Sequence, residues 1–105
     1  MNGHIILSED ERTLVCAILR KNLAAQFRVF VFGSRAGGTV KPWSDLDLSI
    51  EGPAPLPLST LATLRDAFDE SSLVWKVDLV DRCTTSEQFG RIIDRHKLEL
   101  DYRED

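Results

Sequence analysis

The sequence has little cysteine and no long apolar run. Its two cysteines, Cys16 and Cys83, are far apart and fit no metal-binding spacing, so we expect reduced thiols in place of a zinc site or a disulfide framework. No apolar run approaches the roughly eighteen residues of a membrane span, and the N-terminus lacks the basic-then-apolar pattern of a signal peptide. These absences predict a cytoplasmic protein with no membrane partner.

Positive charge is also scarce. Thirteen Lys and Arg residues against 17 Asp and Glu residues give a formal net charge of -4, and no run is rich in Lys or Arg. Proteins whose main task is to hold nucleic acid usually carry a basic patch. The composition therefore argues against nucleic acid as a direct partner and against a polymerase or RNA-tailing enzyme that acts alone.

The apolar content is sufficient for one core. Over 105 residues it is 43%, which is ordinary for a globular protein, and we expect a single domain over residues 1–105. Capping residues and apolar spacing predict helices that begin after Ser8, near Ser59 and after Ser86. Runs of β-branched and aromatic residues predict strands over 28–32, from Asp45 onward and over 73–80, with a short edge strand over 97–100.

The most informative stretch is residues 30–47, FVFGSRAGGTVKPWSDLD. An apolar strand ends at Gly33-Ser34, and ten residues (35 to 44) then precede Asp45 and Asp47 at the start of a second apolar run. Glycine allows a phosphate to approach the backbone closely, and the serine hydroxyl and nearby amides offer hydrogen-bond donors to it. The pattern predicts a strand, a phosphate-binding turn and a second strand that carries two carboxylates.

The two carboxylates are predicted to lie on the same face of their strand. Side chains alternate along a strand, so Asp45 and Asp47 are about 6 to 7 Å apart on one face while Leu46 and Leu48 point to the other. At an effective dielectric constant near 20, their repulsion is about 2 to 3 kcal/mol. The repulsion is tolerated where the two carboxylates are solvated at a strand edge. It is relieved where they bind a divalent cation such as Mg²⁺.

The combined pattern, G-S-x(10)-D-x-D, resembles the DNA polymerase β-like nucleotidyltransferases, specifically the minimal nucleotidyltransferase (MNT) proteins of prokaryotes. Ser34, Asp45 and Asp47 fall on the family motif without a gap, and the resemblance covers the whole chain. It implies an α/β (α+β) fold in which helices flank a mixed central sheet of about three to five strands.

The resemblance also implies a third carboxylate on a later strand. Asp78 is the best match, because it is a single acid inside the apolar run LVWKVDLV, where an unpaired carboxylate is costly. The alternative for Asp78 is a solvated position at a strand edge. Lys76, on the same strand face, is either the ion-pair neighbour of Asp78 or a phosphate contact.

Four further residues are expected to bind the nucleotide phosphates. Gly33 and Ser34 form the turn itself, and in the family basic residues such as Arg35 and Lys41 reach the triphosphate. The alternative for both basic residues is that they are solvated surface charges. For Trp43 we prefer packing at the edge of the site to stacking on a base.

The function implied by the resemblance is transfer of AMP from ATP. Two Mg²⁺ ions would be held by Asp45, Asp47 and Asp78, and the acceptor would be a tyrosine hydroxyl of a HEPN toxin, so that this chain is the antitoxin of a type VII-like toxin–antitoxin pair. One alternative is a non-catalytic antitoxin that neutralises its toxin by binding. Another is a nucleotidyltransferase that acts on a small-molecule or nucleic-acid hydroxyl. The sequence leaves the oligomeric state open.

Overall fold

The computed structural model describes residues 4–103 of the chain. These residues form three helices and four strands, in the order α1 (Glu9–Asn22), β1 (Arg28–Phe32), β2 (Leu46–Glu51), α2 (Leu58–Asp69), β3 (Val77–Asp81), α3 (Glu87–His96) and β4 (Leu98–Leu100). Short 3-10 turns follow β1 (Gly33–Arg35) and β3 (Arg82–Thr84). None of the helices in residues 4–103 is both long enough and apolar enough to cross a membrane.

The four strands form one mixed sheet in the order β3-β2-β1-β4. Strand β1 is antiparallel to both of its neighbours, whereas β2 and β3 are parallel. All but the first residue of β1 are buried, as expected for a strand covered on both faces. The prediction of a mixed sheet of about three to five strands flanked by helices is confirmed.

The sheet has two chemically different faces. The core face, defined by Leu46, Leu48 and Ile50 of β2, packs with side chains of α1 and α2 in a single hydrophobic cluster, and all three residues are fully buried. Burial of each such side chain contributes about 1.5 to 3 kcal/mol. The acidic face, defined by Asp47, Ser49 and Glu51 of β2 together with Asp78 of β3, is the opposite one.

Helix α3 lies against the acidic face. The ring of Phe89 meets Phe32 of β1 edge-on at 5.9 Å, and Ile93 of the same helix is fully buried. Ile92 of this helix is 60% exposed, because each residue of an α-helix is rotated by about 100° from the one before it and its neighbour Ile93 points to the sheet.

Helices α1 and α3 begin where their capping residues predict. The Ser8 hydroxyl accepts a hydrogen bond from the Glu11 amide (3.1 Å), and the Glu11 carboxylate accepts one from the Ser8 amide (2.9 Å), which completes a capping box. Ser86 caps α3 through the Phe89 amide. These local interactions fix the helix ends without reference to the rest of the fold.

Strand β3 is shorter than predicted. The sequence pattern indicated a strand over 73–80, but the structure begins it at Val77 and ends it at Asp81. Val77 pairs with Leu46, the first residue of β2, so residues before Val77 have no neighbouring strand to pair with. Trp75 instead turns into the core and is 6% exposed.

Candidate functional site

The turn after β1 lies against the second acid of β2. Gly33 has φ +76, a backbone conformation that favours glycine, and a β-carbon at this position would overlap the Asp47 carboxylate. Ser34 follows within one 3-10 turn, Gly33–Arg35, which the Ala36 amide closes on the Gly33 carbonyl at 3.1 Å. The expected turn and the expected carboxylate are therefore in direct contact.

Two of the three predicted acids are side by side. Asp47 and Asp78 are register partners in the parallel pair of β2 and β3, so their side chains project from the same face of the sheet. Asp45 precedes β2 by one residue and is exposed. The structure thus places an acid far along the chain, Asp78, next to Asp47, the position that the family resemblance implies for it.

The electrostatics of Asp47 show how crowded the negative charge is. Burial first, then the negative charges of Asp78 and Asp45, and then a hydrogen bond that the protonated Asp47 carboxyl donates to Asp78 together raise the pKa of this carboxyl to about 6. Desolvation and like charge both disfavour the ionised form. A carboxylate in this situation has a strong preference for a cation beside it.

Asp78 is less enclosed and has one cationic neighbour. Its side chain is 46% exposed, and the Lys76 ammonium lies 3.9 Å from one of its oxygens. The ion-pair alternative for Lys76 is therefore observed, although a pair at this distance with a 72% exposed lysine is weak. Asp78 is not a fully buried charge, so its position costs less than the sequence pattern suggested.

The donor set fits a divalent cation by its chemistry. Hard cations such as Mg²⁺ take one or two carboxylates plus water and phosphate oxygens, and Asp47 with Asp78 offers such a pair. Across residues 4–103 no three His, Cys, Asp or Glu side chains stand together in the arrangement of a complete protein-only metal site. The assignment of Asp45, Asp47 and Asp78 as the ligands stays a prediction.

Arg35 has a different role from the one expected of it. It is only 4% exposed, donates hydrogen bonds to the carbonyls of Ser44 and Ile6 (both 2.9 Å), and stacks on Trp75 at 4.4 Å. Because its planar group is already engaged, the structure favours a structural role over a phosphate contact. Arg35 ties the end of the 35–44 loop, directly before Asp45, to the core.

Lys41 and Trp43 lie on the surface of the same loop. Lys41 is exposed, and its ammonium is 5.8 Å from the Trp43 ring, so it remains a candidate for binding phosphate. Trp43 is 67% exposed, and the expectation that it packs at the edge of the site is wrong. A large aromatic side chain thus stands in solvent two residues before Asp45.

Two features of this region have no local signal in the sequence. The Arg35–Trp75 stack joins residues forty positions apart, and no local pattern indicates it. The groove beside Asp78, lined by residues of α2 and β3, has a volume of about 350 Å³. The apolar stripe of α2 and the alternation of β3 predict each element separately but not the space between them.

Comparison with known proteins identifies a domain family and a relative of this chain. Residues 13–102 match the nucleotidyltransferase domain family. The chain is 44% identical over 87 residues to a probable protein adenylyltransferase, MntA, of Haemophilus influenzae, an alignment that covers 83% of this chain and 75% of the relative.

Two solved structures share the fold. A crystal structure of a toxin–antitoxin with AMP-PNP superposes with a TM-score of 0.67 at 23% identity, covering 85% of this chain and 71% of that one. A crystal structure of the toxin–antitoxin MntA-HpeT, in a variant with two aspartates replaced by glutamate, gives a TM-score of 0.66 at 20% identity, with coverages of 85% and 70%. At these identities the likeness establishes the architecture.

Proposed function

The chain belongs to the nucleotidyltransferase domain family, and we propose that it is a protein adenylyltransferase that transfers AMP from ATP to a hydroxyl group of a toxin. The observation that carries the proposal is the meeting of Asp47 and Asp78 at the Gly33–Ser34 turn. The 44% identity to a protein adenylyltransferase supports the donor and the class of acceptor. The AMP-PNP bound to a structural relative supports ATP.

The triphosphate would bind on the β1 side of Asp47. The Ser34 hydroxyl and the amides of the turn would be donors for the β and γ phosphates, and Gly33 allows this turn to lie directly against the Asp47 carboxylate. Lys41, exposed on the following loop, supplies a positive charge that can reach the phosphates. Arg35 contributes indirectly, because it holds the loop that ends at Asp45.

Asp45, Asp47 and Asp78 would hold the divalent cations, two Mg²⁺ ions in this proposal. Bound there, the ions neutralise the triphosphate and lower the pKa of the acceptor hydroxyl. The raised pKa of Asp47 fits this role, since a cation beside the carboxylate offsets the burial and the like charges that disfavour its ionised form.

The transfer itself is a single displacement at the α-phosphorus. The acceptor oxygen forms a bond to that phosphorus, the bond to the oxygen bridging to the β-phosphate breaks, and pyrophosphate leaves. Asp78 would accept the hydroxyl proton, since its carboxylate is half exposed beside Asp47. We assign the acceptor to a protein because the relative that is 44% identical is a probable protein adenylyltransferase.

The partner in this proposal is a HEPN toxin in the cytoplasm, modified on a tyrosine, and this chain is its antitoxin. Incubation with α-labelled ATP, Mg²⁺ and the toxin encoded beside the chain tests it. We expect label on the toxin with the native chain and none with Asp47→Ala. Neutralisation without label that survives Asp47→Ala would identify an occluding antitoxin. Label on RNA or on a small alcohol would identify a different transferase.

A further inference from the structure

The open edge of β3 runs beside the proposed catalytic acids. Strand β3 pairs with β2 on one side, and within residues 4–103 no strand covers its other side. The amide of Leu46 donates to the carbonyl of Lys76 at 2.9 Å, so the backbone groups of Lys76 and Asp78 face β2. In a parallel ladder alternate residues point opposite ways, and the N–H and C=O groups of Val77 and Leu79 therefore face outward.

Those outward groups line a groove. It has a volume of about 350 Å³ and is bounded by Arg65 and Asp69 of α2 and by the consecutive residues Lys76 to Leu79. Asp78 is part of this lining, so the groove opens directly on the acid that we assign to the acceptor proton. The phosphate-binding turn lies on the other side of Asp47, towards β1. A second substrate can therefore enter along β3 without crossing the triphosphate.

Two cations at the groove are available to a ligand. The guanidinium of Arg65 makes no hydrogen bond or ion pair within residues 4–103, and the Lys76 side chain is 72% exposed with only a long contact to Asp78. Charged groups that are not committed elsewhere give specificity and speed to association. Asp69 and Asp78 line the same groove, so a bound segment that is complementary to it carries both acidic and basic side chains.

We propose that the groove between α2 and the edge of β3 receives an extended segment of the protein partner with both acidic and basic side chains, which adds to β3 as a fifth strand and presents the acceptor hydroxyl to Asp78. Main-chain bonds to Val77 and Leu79 supply affinity, as in other cases of strand addition, and Arg65 and Lys76 bind acidic side chains of the segment. The inference rests on the proposed function for the identity of the partner.

Amide hydrogen exchange of the native chain, alone and mixed with the toxin encoded beside it, tests the strand addition directly. We expect the Val77 and Leu79 amides to exchange at least about tenfold more slowly in the complex, and the amides of β4, the opposite edge strand, to be unchanged. Unchanged exchange at Val77 and Leu79 would overturn the proposal, whether or not AMP transfer is observed. Protection without any transfer would leave the groove in place and refute the proposed function.

Charge reversal separates the groove from the nucleotide site. In R65E we expect toxin binding, and the KM for the toxin where transfer occurs, to weaken at least about tenfold, with AMP-PNP affinity unchanged. The control R12E makes the same change of charge at an exposed position of α1 that does not line the groove, and it should bind toxin normally. Loss of AMP-PNP binding in R65E, or toxin binding equal to that of the control, would contradict the proposal.

Discussion

The two faces of β2, a strand of six residues, have different roles. On the core face, Leu46, Leu48 and Ile50 are fully buried and supply stability. On the acidic face, Asp47 stands against Asp78 in an arrangement that raises its pKa and opposes its ionisation. Alternate positions of one strand therefore contribute either to stability or to the candidate site. Substitutions one residue apart should have separable effects on the two.

The sharpest separation is expected from Asp47→Asn. The substitution keeps the shape of the side chain and removes its charge, so AMP transfer should fall by about a thousandfold or more, equivalent to about 4 kcal/mol of activation free energy. The folded protein should at the same time gain stability at pH 7, because a disfavoured negative charge is removed.

Labelled-ATP assays and thermal unfolding measure these two effects on one sample. Asp10→Asn, at an exposed position near the start of α1, removes the same charge away from the site and should leave transfer unchanged. A variant at 47 that is both inactive and less stable would show that this carboxylate supports the fold, and the separation of the two faces would fail.

The reverse result is expected one residue further on. Leu48→Ala removes part of a fully buried side chain and should lower the free energy of unfolding by about 3 kcal/mol, with a cavity as the cause. Transfer activity per folded molecule should be retained. Urea unfolding checks the first part, and assays well below the transition check the second.

Leu58→Ala provides the matched control for that experiment. Leu58 is 83% exposed at the start of α2, so the same chemical change should alter stability by less than about 0.5 kcal/mol. Equal losses from both leucines would mean that burial on the core face is not what stabilises the sheet.

Most of the fold is predictable because its causes are local. The alternation over residues 45–51 specifies which face of β2 is buried, and Ser8 with Glu11 specifies the start of α1. The meeting of Asp47 and Asp78 follows from the family resemblance, and the parallel register of β2 and β3 realises it. These features are read from neighbouring residues or from a shared motif.

The features that were not predicted depend on contacts between distant segments. Arg35 looks like a surface cation beside a phosphate turn, and only the position of Trp75 forty residues later makes it structural. The start of β3 at Val77 depends on where β2 begins. The exposure of Trp43 depends on the path of its loop across the surface. Arg35 fixes the end of that loop through the Ser44 carbonyl.

A smaller effect is expected from the contact between the Gly33 turn and the Asp47 carboxylate. Gly33→Ala places a side chain at φ +76 and against the Asp47 carboxylate, so it should cost about 2 kcal/mol of stability and also reduce transfer. Gly37→Ala meets a similar backbone penalty at φ +88 without the contact to Asp47. We expect a larger loss of stability in Gly33→Ala than in Gly37→Ala, measured by urea unfolding, because only the first adds the overlap with Asp47, and a loss of activity per folded molecule in Gly33→Ala alone. Equal activity would show that the turn does not hold Asp47 in place.

The smallest expected effect is the pH dependence that Asp47 gives to the metal-free protein. The folded state raises the pKa of this carboxyl from 3.8 to about 6, so the folded chain holds the proton more tightly than the unfolded chain does. Stability should therefore fall as the pH rises from about 4 to about 6 and stay level above that. A fully enclosed carboxyl would lose about 3 kcal/mol over this window, but Asp47 is only partly buried and we expect about 1 kcal/mol.

Comparison of the native chain with Asp47→Asn separates the pH dependence of stability due to Asp47 from that due to the other acids. Asp94 has a pKa lowered to about 2 by hydrogen bonds from Arg82 and Lys97, so its stabilising contribution is lost only as the pH falls below about 4. Between pH 4 and pH 7 the difference in unfolding free energy between the native chain and the variant should shift by about 1 kcal/mol in favour of the variant, since the native chain alone loses stability there. A difference that stays constant over this range would mean that Asp47 ionises freely, in which case the acidic face carries no stored repulsion for a cation to relieve.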